Sequence, residues 1–307
     1  MPQCANPAIP NRPDRLDEYL RRCESCFPTI RRDCEKKIVW YGGRREKTAR
    51  ALVYLHGFSA SRMETWPLCD RLAEALGANL FYTRLRGHGQ DGPAMGAARV
   101  EQWLIDGLEA VAIGSRIGGQ IILVGMSTGG TLATWLAAQP SVAPLIHRLI
   151  LLSPNFFPKN PLAAATMWAP SRRLLERACG GSLSVPVAGP CHERYWTVRY
   201  PLRAVGTMMQ LVRLSWQVDL KNAAMPVLML INPWDRVVNV SLALARFGSF
   251  SAPGKKWQFF RGNKDLGRHV LAGAILAPEG TDKALSILQA FLETPALNRA
   301  PTTCGAA

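Results

Sequence analysis

The chain has 307 residues, a length that suits one large core with an insertion or two modest domains. Its hydrophobic fraction of 48% and its lack of low-complexity tracts or internal repeats exclude a disordered or repeat protein and favour a folded soluble one. The longest apolar stretches, such as residues 121–124 and 149–152, are strand-sized and too short to span a bilayer.

The formal net charge is +15, and much of the excess lies in the first fifty residues. A basic face of this kind can attract nucleic acid, anionic lipid or acidic substrates. Because no nucleic-acid-binding motif accompanies the charge, we interpret it as a solvated surface and expect no nucleic-acid partner. Peripheral contact with anionic lipid stays open, and the oligomeric state is not predicted.

The first eleven residues are polar and contain proline, without the apolar stretch of a secretory signal. We therefore expect a cytoplasmic protein. A periplasmic or secreted protein is the alternative if a leader has been removed.

The eight cysteines do not form the pattern of a disulfide framework, and we expect reduced thiols. Cys23 and Cys26 with Cys34 could hold zinc, but no second pair of ligands completes a four-ligand site. Cys179 and Cys191 could form a bridge in an oxidising compartment. We predict no metal site.

From about Lys37 the sequence alternates apolar strands with amphipathic helices, which predicts a three-layer α/β fold with a mostly parallel sheet. The strands read as continuous aliphatic runs, typical of strands buried on both faces, and are predicted at 37–41, 51–55, 79–83, 120–124, 148–152, 226–231 and 256–260. Helices are predicted at 66–76, 100–113, 127–138 and 281–292, the last with Thr281 as its N-cap.

Two segments fall outside this alternation. Residues 154–225 contain no clear strand and are rich in proline and large apolar groups, which predicts a helical insertion rather than a loop. Residues 1–36 form an N-terminal extension with one helix at about 15–26. The predicted core consists of residues 37–153 and 226–307.

Gly125-Met126-Ser127-Thr128-Gly129 follows a predicted strand and leads into a predicted helix. This is a G-x-S-x-G sequence in the strand–turn–helix context that presents a nucleophilic serine. The sharp turn leaves no room for side chains two residues before and after the serine. The nearby helix N-terminus favours developing negative charge.

A serine hydroxyl needs a base, and His269 lies in a polar loop after the last predicted strand. Asp235 follows the preceding strand and is the carboxylate of that turn, which gives the chain order serine, acid, histidine. Its alternative role is a helix cap or a pair with Arg236. Asp265 is the rival acid, but Asp235 has the strand-end position that the triad requires.

The oxyanion of a tetrahedral intermediate needs amide donors. We predict the amides of Thr128, after the nucleophile, and of Phe58, in the turn after strand 51–55. His56 is predicted to hold that turn by hydrogen bonds rather than to act as a catalyst. Residues 87–92 spell G-x-G-x-x-G, but Pro93 follows and no helix is predicted to open at Gly92, so we reject a dinucleotide site.

Taken in order, these motifs resemble those of the α/β-hydrolase superfamily, and within it the monoglyceride-lipase and carboxylesterase branch. The resemblance runs from about Lys37 to the C-terminus and rests on residues 56–58, 86–89, 125–130, 234–238 and 268–271. It implies the same nucleophile, acid, base and oxyanion donors, and a lid in residues 154–225 over an acyl pocket. Arg84 departs from the pattern, since an aspartate is frequent there.

The predicted activity is hydrolysis of carboxylic esters through an acyl-enzyme, without a cofactor, on a small-molecule substrate with an apolar acyl chain. Candidate substrate contacts in the insertion are Phe156, Trp168, Trp196 and Met208, although such residues also suit a local core. The same triad serves thioesterases, peptidases, lactonases and acyltransferases, which stay as alternatives. A non-catalytic binding protein would be expected to have a broken triad.

Overall fold

A computed structural model of the chain describes residues 8–178, 180–261 and 267–294. In the first half of the chain the elements are α1 (Leu16–Ser25), β1 (Lys37–Val39), β2 (Thr48–Leu55), α2 (Leu68–Ala75), β3 (Asn79–Tyr82), α3 (Gly92–Ala97), α4 (Val100–Ile117), β4 (Gly118–Met126), α5 (Thr128–Ala137) and β5 (Ile146–Leu152). The second half adds α6 (Leu162–Ala165), α7 (Ala169–Ala178), β6 (Ser182–Ser184), α8 (Pro190–Tyr195), β7 (Arg199–Pro201), α9 (Leu202–Gln217), β8 (Val227–Ile231), α10 (Val240–Gly248), β9 (Lys256–Phe259) and α11 (Thr281–Glu293).

The main sheet of the described residues has seven strands in the order β1-β3-β2-β4-β5-β8-β9. Strand β1 is antiparallel to β3, and every other neighbouring pair is parallel. The mostly parallel sheet predicted from the aliphatic runs is therefore confirmed. All seven predicted strands lie in it, and the largest shift of a boundary is at β2, which begins at Thr48 rather than at residue 51.

Alternate side chains of the central strands enter two separate cores. In β2, Val53 and Leu55 belong to the core shared with α1, α4 and α5, whereas Leu52 and Tyr54 belong to the core shared with α2 and α11. Each fully buried aliphatic side chain stabilises the fold by roughly 1.5–3 kcal/mol. Burial on both faces accounts for the continuous apolar runs and gives the three-layer arrangement.

The N-terminal helix α1 packs against the same core as α4. Tyr19 is buried, and its hydroxyl donates a hydrogen bond to Glu109 of α4 at 2.7 Å. The Lys36 ammonium forms ion pairs with Asp106 and Glu109 of the same helix. Through these contacts, α1 and Lys36 pack onto the same core as the rest of the chain, although their sequence lies outside the strand–helix alternation.

The segment between β5 and β8 contains α6 to α9 and a two-stranded antiparallel sheet made of β6 and β7. The prediction that this segment has no strand is wrong. Each of these strands has three residues, which is too short to show the alternation from which a strand is predicted. Within the described ranges, none of the helices combines the length and apolar character needed to cross a membrane.

Two predicted helix starts also differ from the structure. Thr281 is the first residue of α11 rather than its N-cap, and its hydroxyl accepts a hydrogen bond from the Gly273 amide at 3.0 Å. Helix α3 does begin at Gly92, where no helix was predicted. The Asp91 carboxylate accepts from the Ala94 amide at 2.8 Å and so caps this short helix.

Candidate active site

Ser127 occupies the sharp turn between β4 and α5. The strand order reverses between β2 and β4, and ligands of open α/β sheets bind at such a point. The serine has φ 52° and ψ −116°, a strained backbone that costs about 1–3 kcal/mol. A Cβ on Gly129 would lie 2.0 Å from the Leu55 carbonyl oxygen, and one on Gly125 would lie 2.5 Å from the Gly129 carbonyl oxygen. The predicted need for glycine at both positions is confirmed.

Three side chains from separate loops converge at this turn. The His269 Nε2 lies 2.8 Å from the Ser127 Oγ, and the His269 Nδ1 lies 2.7 Å from the Asp235 Oδ2. A carboxylate at Nδ1 favours the tautomer with the proton on Nδ1, which leaves Nε2 as the acceptor for the serine hydroxyl. All three residues are less than 10% exposed, so these hydrogen bonds are shielded from bulk water.

The Asp235 carboxylate also holds its own loop. Its Oδ1 accepts hydrogen bonds from the amides of Val237 at 2.7 Å and Val238 at 2.9 Å. These contacts stabilise a loop and not a helix start, since Asn239 caps α10, so the alternative role of Asp235 as a helix cap is wrong. Two backbone donors on one oxygen fix the plane of the carboxylate and aim the other oxygen at the imidazole.

The two predicted oxyanion donors lie at the ends of adjacent strands. Thr128 is the first residue of α5, and Phe58 lies in the turn of residues 56–59 that follows β2. His56 holds this turn, because its Nε2 accepts from the Leu85 amide at 3.0 Å and its ring lies against the Gly57 carbonyl. Burial lowers the pKa of His56 to about 4, so the imidazole is neutral. The predicted structural role of His56 is confirmed.

The insertion contacts the 56–59 turn directly. The Tyr200 ring lies edge-on to the Phe58 ring with 5.1 Å between centroids. The Thr197 amide donates to the Ser59 carbonyl at 2.7 Å. Thr197, just before β7, and Tyr200, within β7, thus help to hold the backbone of Phe58 in place.

The four candidate contacts of the insertion lie in different places. Phe156 is fully buried in the main core. Met208 is buried on α9, and its sulfur lies 3.2 Å from the side-chain nitrogen Nδ2 of Asn155. Trp196 is buried in a small cluster that also contains Cys34 and Ala60. Trp168 is 70% exposed on the outer surface of the insertion. The structure brings Phe156 and Met208 to the core around α5 and α9, but not Trp168.

Two polar residues near Ser127 were missed by the sequence analysis. Glu64 is 3% exposed and accepts a hydrogen bond from the Gly57 amide at 2.7 Å. Asn155 is buried, and its backbone amide donates to the Ser127 carbonyl oxygen at 3.0 Å. Asn155 follows β5, so the rule that functional groups gather at the carboxyl ends of strands could have found it. No sequence pattern marks Glu64.

The other motifs remain outside this site. The rival acid Asp265 and the thiol of Cys179 lie outside the described residues. Cys191 is a free thiol, as are Cys23 and Cys34. Among the residues that the structure describes, no group of three or more histidine, cysteine, aspartate or glutamate side chains could hold a metal ion.

Comparison with known proteins agrees with the geometry of the fold. A family model described as the alpha/beta hydrolase family matches residues 52–284. This match covers well over half of the chain and includes Ser127, Asp235 and His269. The chain therefore belongs to the alpha/beta hydrolase family. No curated protein matches it.

Several solved structures share the fold at low sequence identity. One, from a study of the metagenome-derived lipolytic enzymes LipS and LipT, is 18% identical with a TM-score of 0.70 and covers 86% of this chain and 98% of that chain. Monoglyceride lipase from Saccharomyces cerevisiae is 14% identical with a TM-score of 0.62, covering 84% and 91%. Monoacylglycerol lipase from Paleococcus ferrophilus is 16% identical with a TM-score of 0.60, covering 84% and 97%. At these identities the similarity shows the α/β-hydrolase fold.

Proposed function

We propose that the protein is a serine hydrolase that cleaves carboxylic esters through a covalent acyl-enzyme. The observation that carries this proposal is the continuous path of hydrogen bonds from Asp235 through His269 to Ser127 on a strained turn. Distances of 2.7 and 2.8 Å already match those needed for proton transfer. In this proposal Ser127 supplies the nucleophile, His269 the base and Asp235 the acid that orients the base.

In the first step His269 accepts the Ser127 proton while the serine oxygen attacks the ester carbonyl carbon. Negative charge then develops on the carbonyl oxygen, and the amides of Phe58 and Thr128 stabilise it by hydrogen bonds. The Asp235 carboxylate stabilises the imidazolium that forms. His269 next gives its proton to the alcohol oxygen as the carbon–oxygen bond breaks, leaving an ester between the acyl group and Ser127.

In the second step water hydrolyses this acyl-enzyme. His269 removes a proton from the water molecule as it attacks the acyl carbon, and the same amides hold the second oxyanion. Collapse of this intermediate returns the proton to the Ser127 oxygen and releases the carboxylic acid. The balance of the two steps is one water consumed, with one acid and one alcohol formed.

For the substrate, we propose a small ester with an apolar acyl chain, and residues 154–225 as the lid of the site. The proposal is supported by buried apolar side chains of the insertion beside the core, Phe156 and Met208 among them. It is also supported by the similarity in fold to a monoglyceride lipase and a monoacylglycerol lipase. In this assignment residues 1–36 are an extension, and residues 37–153 and 226–307 form the core.

The test is hydrolysis of a series of p-nitrophenyl esters of increasing acyl length by the wild-type chain and Ser127→Ala. We expect turnover by the wild type and a loss of at least about a thousandfold in kcat for the variant, since binding and oxyanion effects alone would remain. Ser286→Ala, which changes an exposed serine on α11, serves as the matched control and should keep full activity.

A fluorophosphonate probe gives a second readout that does not depend on the choice of ester. It should label the wild type and Ser286→Ala at Ser127 and leave Ser127→Ala unlabelled. Labelling without turnover of any ester would favour another acyl bond, such as an amide or thioester. A wild-type chain that neither labels nor turns over an ester would refute the proposal.

A further inference from the structure

A buried carboxyl group lies beneath the 56–59 turn. The Glu64 Oε2 accepts hydrogen bonds from the Gly57 amide at 2.7 Å and from the Tyr54 hydroxyl at 2.9 Å. Glu64 is 3% exposed, and Tyr54 is fully buried in β2. Gly57 directly precedes Phe58, whose amide is the proposed oxyanion donor. The carboxyl group is therefore anchored to the backbone that aims this donor.

This carboxyl group is also close to the reacting side chains. A Cβ on Gly57 would lie 2.6 Å from the Glu64 Oε1 and 3.2 Å from the Ser127 Cβ. Gly57 is therefore packed between the Glu64 carboxyl group and the nucleophile. Glu64 lies within electrostatic range of His269, and a positive charge on that imidazole favours the ionised carboxylate.

Apart from Asp235, which contacts His269 directly, the other buried carboxylates differ from Glu64 in their partners. Glu24 faces Arg84, whereas Asp106 and Glu109 face Lys36. Among the ion pairs of the described residues, none includes Glu64 with a lysine or arginine. Burying a carboxylate without a permanent cation is costly. The cation that Glu64 faces is the one that forms on His269 when it accepts a proton.

Resting on the function proposed above, we propose that Glu64 is a positioning residue, whose ionised carboxylate orders the 56–59 turn through the Gly57 amide and stabilises protonated His269 across that turn. Asp235 holds the same imidazole through Nδ1 from the other side. Glu64 exchanges no proton with the substrate in this arrangement. It acts through the backbone of Gly57 and through its charge.

The ionisable groups that face Glu64 are Tyr54 from β2, Cys69 from α2 and His269 from the loop after β9. Burial raises the pKa of Glu64 to about 7, against the hydrogen bonds from Gly57 and Tyr54, which favour ionisation. Burial also raises the pKa of Tyr54 and Cys69 above their ordinary values, so both are neutral at pH 7. The Glu64 carboxyl therefore changes charge near neutrality, and the proposed mechanism also requires His269 to have lost its proton.

This arrangement gives a specific expectation for the pH profile. The active form has an ionised Glu64 and a neutral His269, so both protons must leave as the pH rises. On the acidic side, kcat/KM of the wild type should then fall by about two decades per pH unit rather than one. A site with one ionisation on that side gives a fall of about one decade per unit.

The experiment measures kcat/KM for a p-nitrophenyl ester, and the rate of fluorophosphonate labelling, from acidic to alkaline pH. Glu64→Gln keeps an acceptor for the Gly57 amide but removes the charge. We expect kcat to fall about 10- to 100-fold, as for loss of a charge-assisted hydrogen bond, with the acidic limb reduced to one ionisation. KM should change by less than about threefold, because uniform binding is not altered.

Tyr54→Phe provides an independent test that leaves Glu64 in place. It removes a hydrogen bond that favours the ionised carboxylate, so the two-ionisation limb should move to higher pH. Glu109→Gln is the control for loss of a buried carboxylate elsewhere. It should lower stability and leave the pH profile unchanged.

The outcomes separate this inference from the proposed function. The role of Glu64 would be overturned if the wild type, Glu64→Gln and Tyr54→Phe all turned over the ester, were labelled at Ser127 and had the same acidic limb in their pH profiles. The proposed hydrolase function would then stand. A wild-type chain without labelling at any pH would overturn both. If Glu64→Gln does not fold, an unmoved limb in Tyr54→Phe is sufficient to overturn the inference.

Discussion

The guanidinium of Arg84 forms a two-bond ion pair with the carboxylate of Glu24, with Nε at 2.8 Å and Nη2 at 2.7 Å from its oxygens. Arg84 follows β3, whereas Glu24 belongs to α1. Both side chains are largely removed from solvent, with 2% and 10% exposed. The pair therefore joins the N-terminal helix to the carboxyl end of β3.

We expect Glu24→Gln to lower the free energy of unfolding by about 3–5 kcal/mol, because Arg84 would keep a buried charge without a partner. Urea denaturation at pH 7 measures this loss. Asp14→Asn, which disrupts the exposed pair with Arg12, is the control and should leave the denaturation midpoint unchanged. Equal midpoints for the wild type and Glu24→Gln would show that the pair contributes no net stability.

The same ion pair has a defined pH dependence. Burial disfavours the ionised carboxylate, but the Arg84 guanidinium together with Lys36 outweighs burial, so the pKa of Glu24 lies below its ordinary value of 4.5. A lowered folded-state pKa stabilises the fold above about pH 4.5, and this contribution is lost as the pH falls through the folded-state value. Glu24→Gln should therefore lose less stability than the wild type below that pH.

Because of His56, the folded protein should lose stability as the pH falls from about 6.5 to about 4. Burial lowers its pKa from 6.5 to about 4, so in this range the unfolded chain binds a proton that the folded chain does not. The contribution at pH 4 is roughly 3 kcal/mol at 1.36 kcal/mol per pKa unit. In urea denaturation across this range, the free energy of unfolding should depend less steeply on pH for His56→Gln than for the wild type. The glutamine side chain can still accept from the Leu85 amide. Parallel curves would contradict the assignment.

Gly57→Ala should damage the site without removing any catalytic group. The new methyl group would meet the Glu64 carboxyl at 2.6 Å and the Ser127 Cβ at 3.2 Å. We expect a loss of about 1–3 kcal/mol in stability from overpacking and at least about a tenfold loss in kcat, measured by denaturation and ester turnover. Gly248→Ala is the matched control, because nothing lies within 4 Å of its Cβ position. Full activity of Gly57→Ala would show that the turn adapts freely.

Asp235→Asn should lower kcat by about ten-thousandfold, because the amide cannot hold the tautomer of His269 with an acceptor at Nε2. The fold should be retained, since the amide oxygen of the new side chain can still accept from the amides of Val237 and Val238. Asp265→Asn, the rival in the sequence analysis, should keep nearly full activity. Steady-state ester kinetics of both variants decide between the two acids, and the reverse ranking would assign the role to Asp265.

Local rules were sufficient for the sheet and for the nucleophile turn. A continuous aliphatic run such as Ile121 to Val124 suits a strand buried on both faces, so this strand and its burial follow from the residues alone. Gly125 is required by local steric contact with the backbone of Gly129, whereas Gly129 is required by contact with the backbone of Leu55 in β2. The positions of Asp235 and His269 followed because chain order and strand ends limit where an acid and a base can lie.

Features that depend on distant partners could not be predicted. The burial of Glu64 depends on Tyr54 and on the packing of Gly273 against its backbone, and carboxylates are exposed in most contexts. The partner of Arg84 lies 60 residues away in a helix with no motif. Short elements were missed for another reason, since three residues in β6 or six in α3 carry too little periodicity.

The insertion is tied to the core unevenly. Thr197 and Tyr200 contact the 56–59 turn, whereas Trp168 and Leu174 around α7 are about 70% exposed. Under the proposed function, substitutions near β7 should therefore alter the rate of acyl transfer, and substitutions of the exposed side chains around α7 should leave that rate unchanged. The exposed positions around α7 can therefore vary in evolution without disturbing the contacts that hold the 56–59 turn.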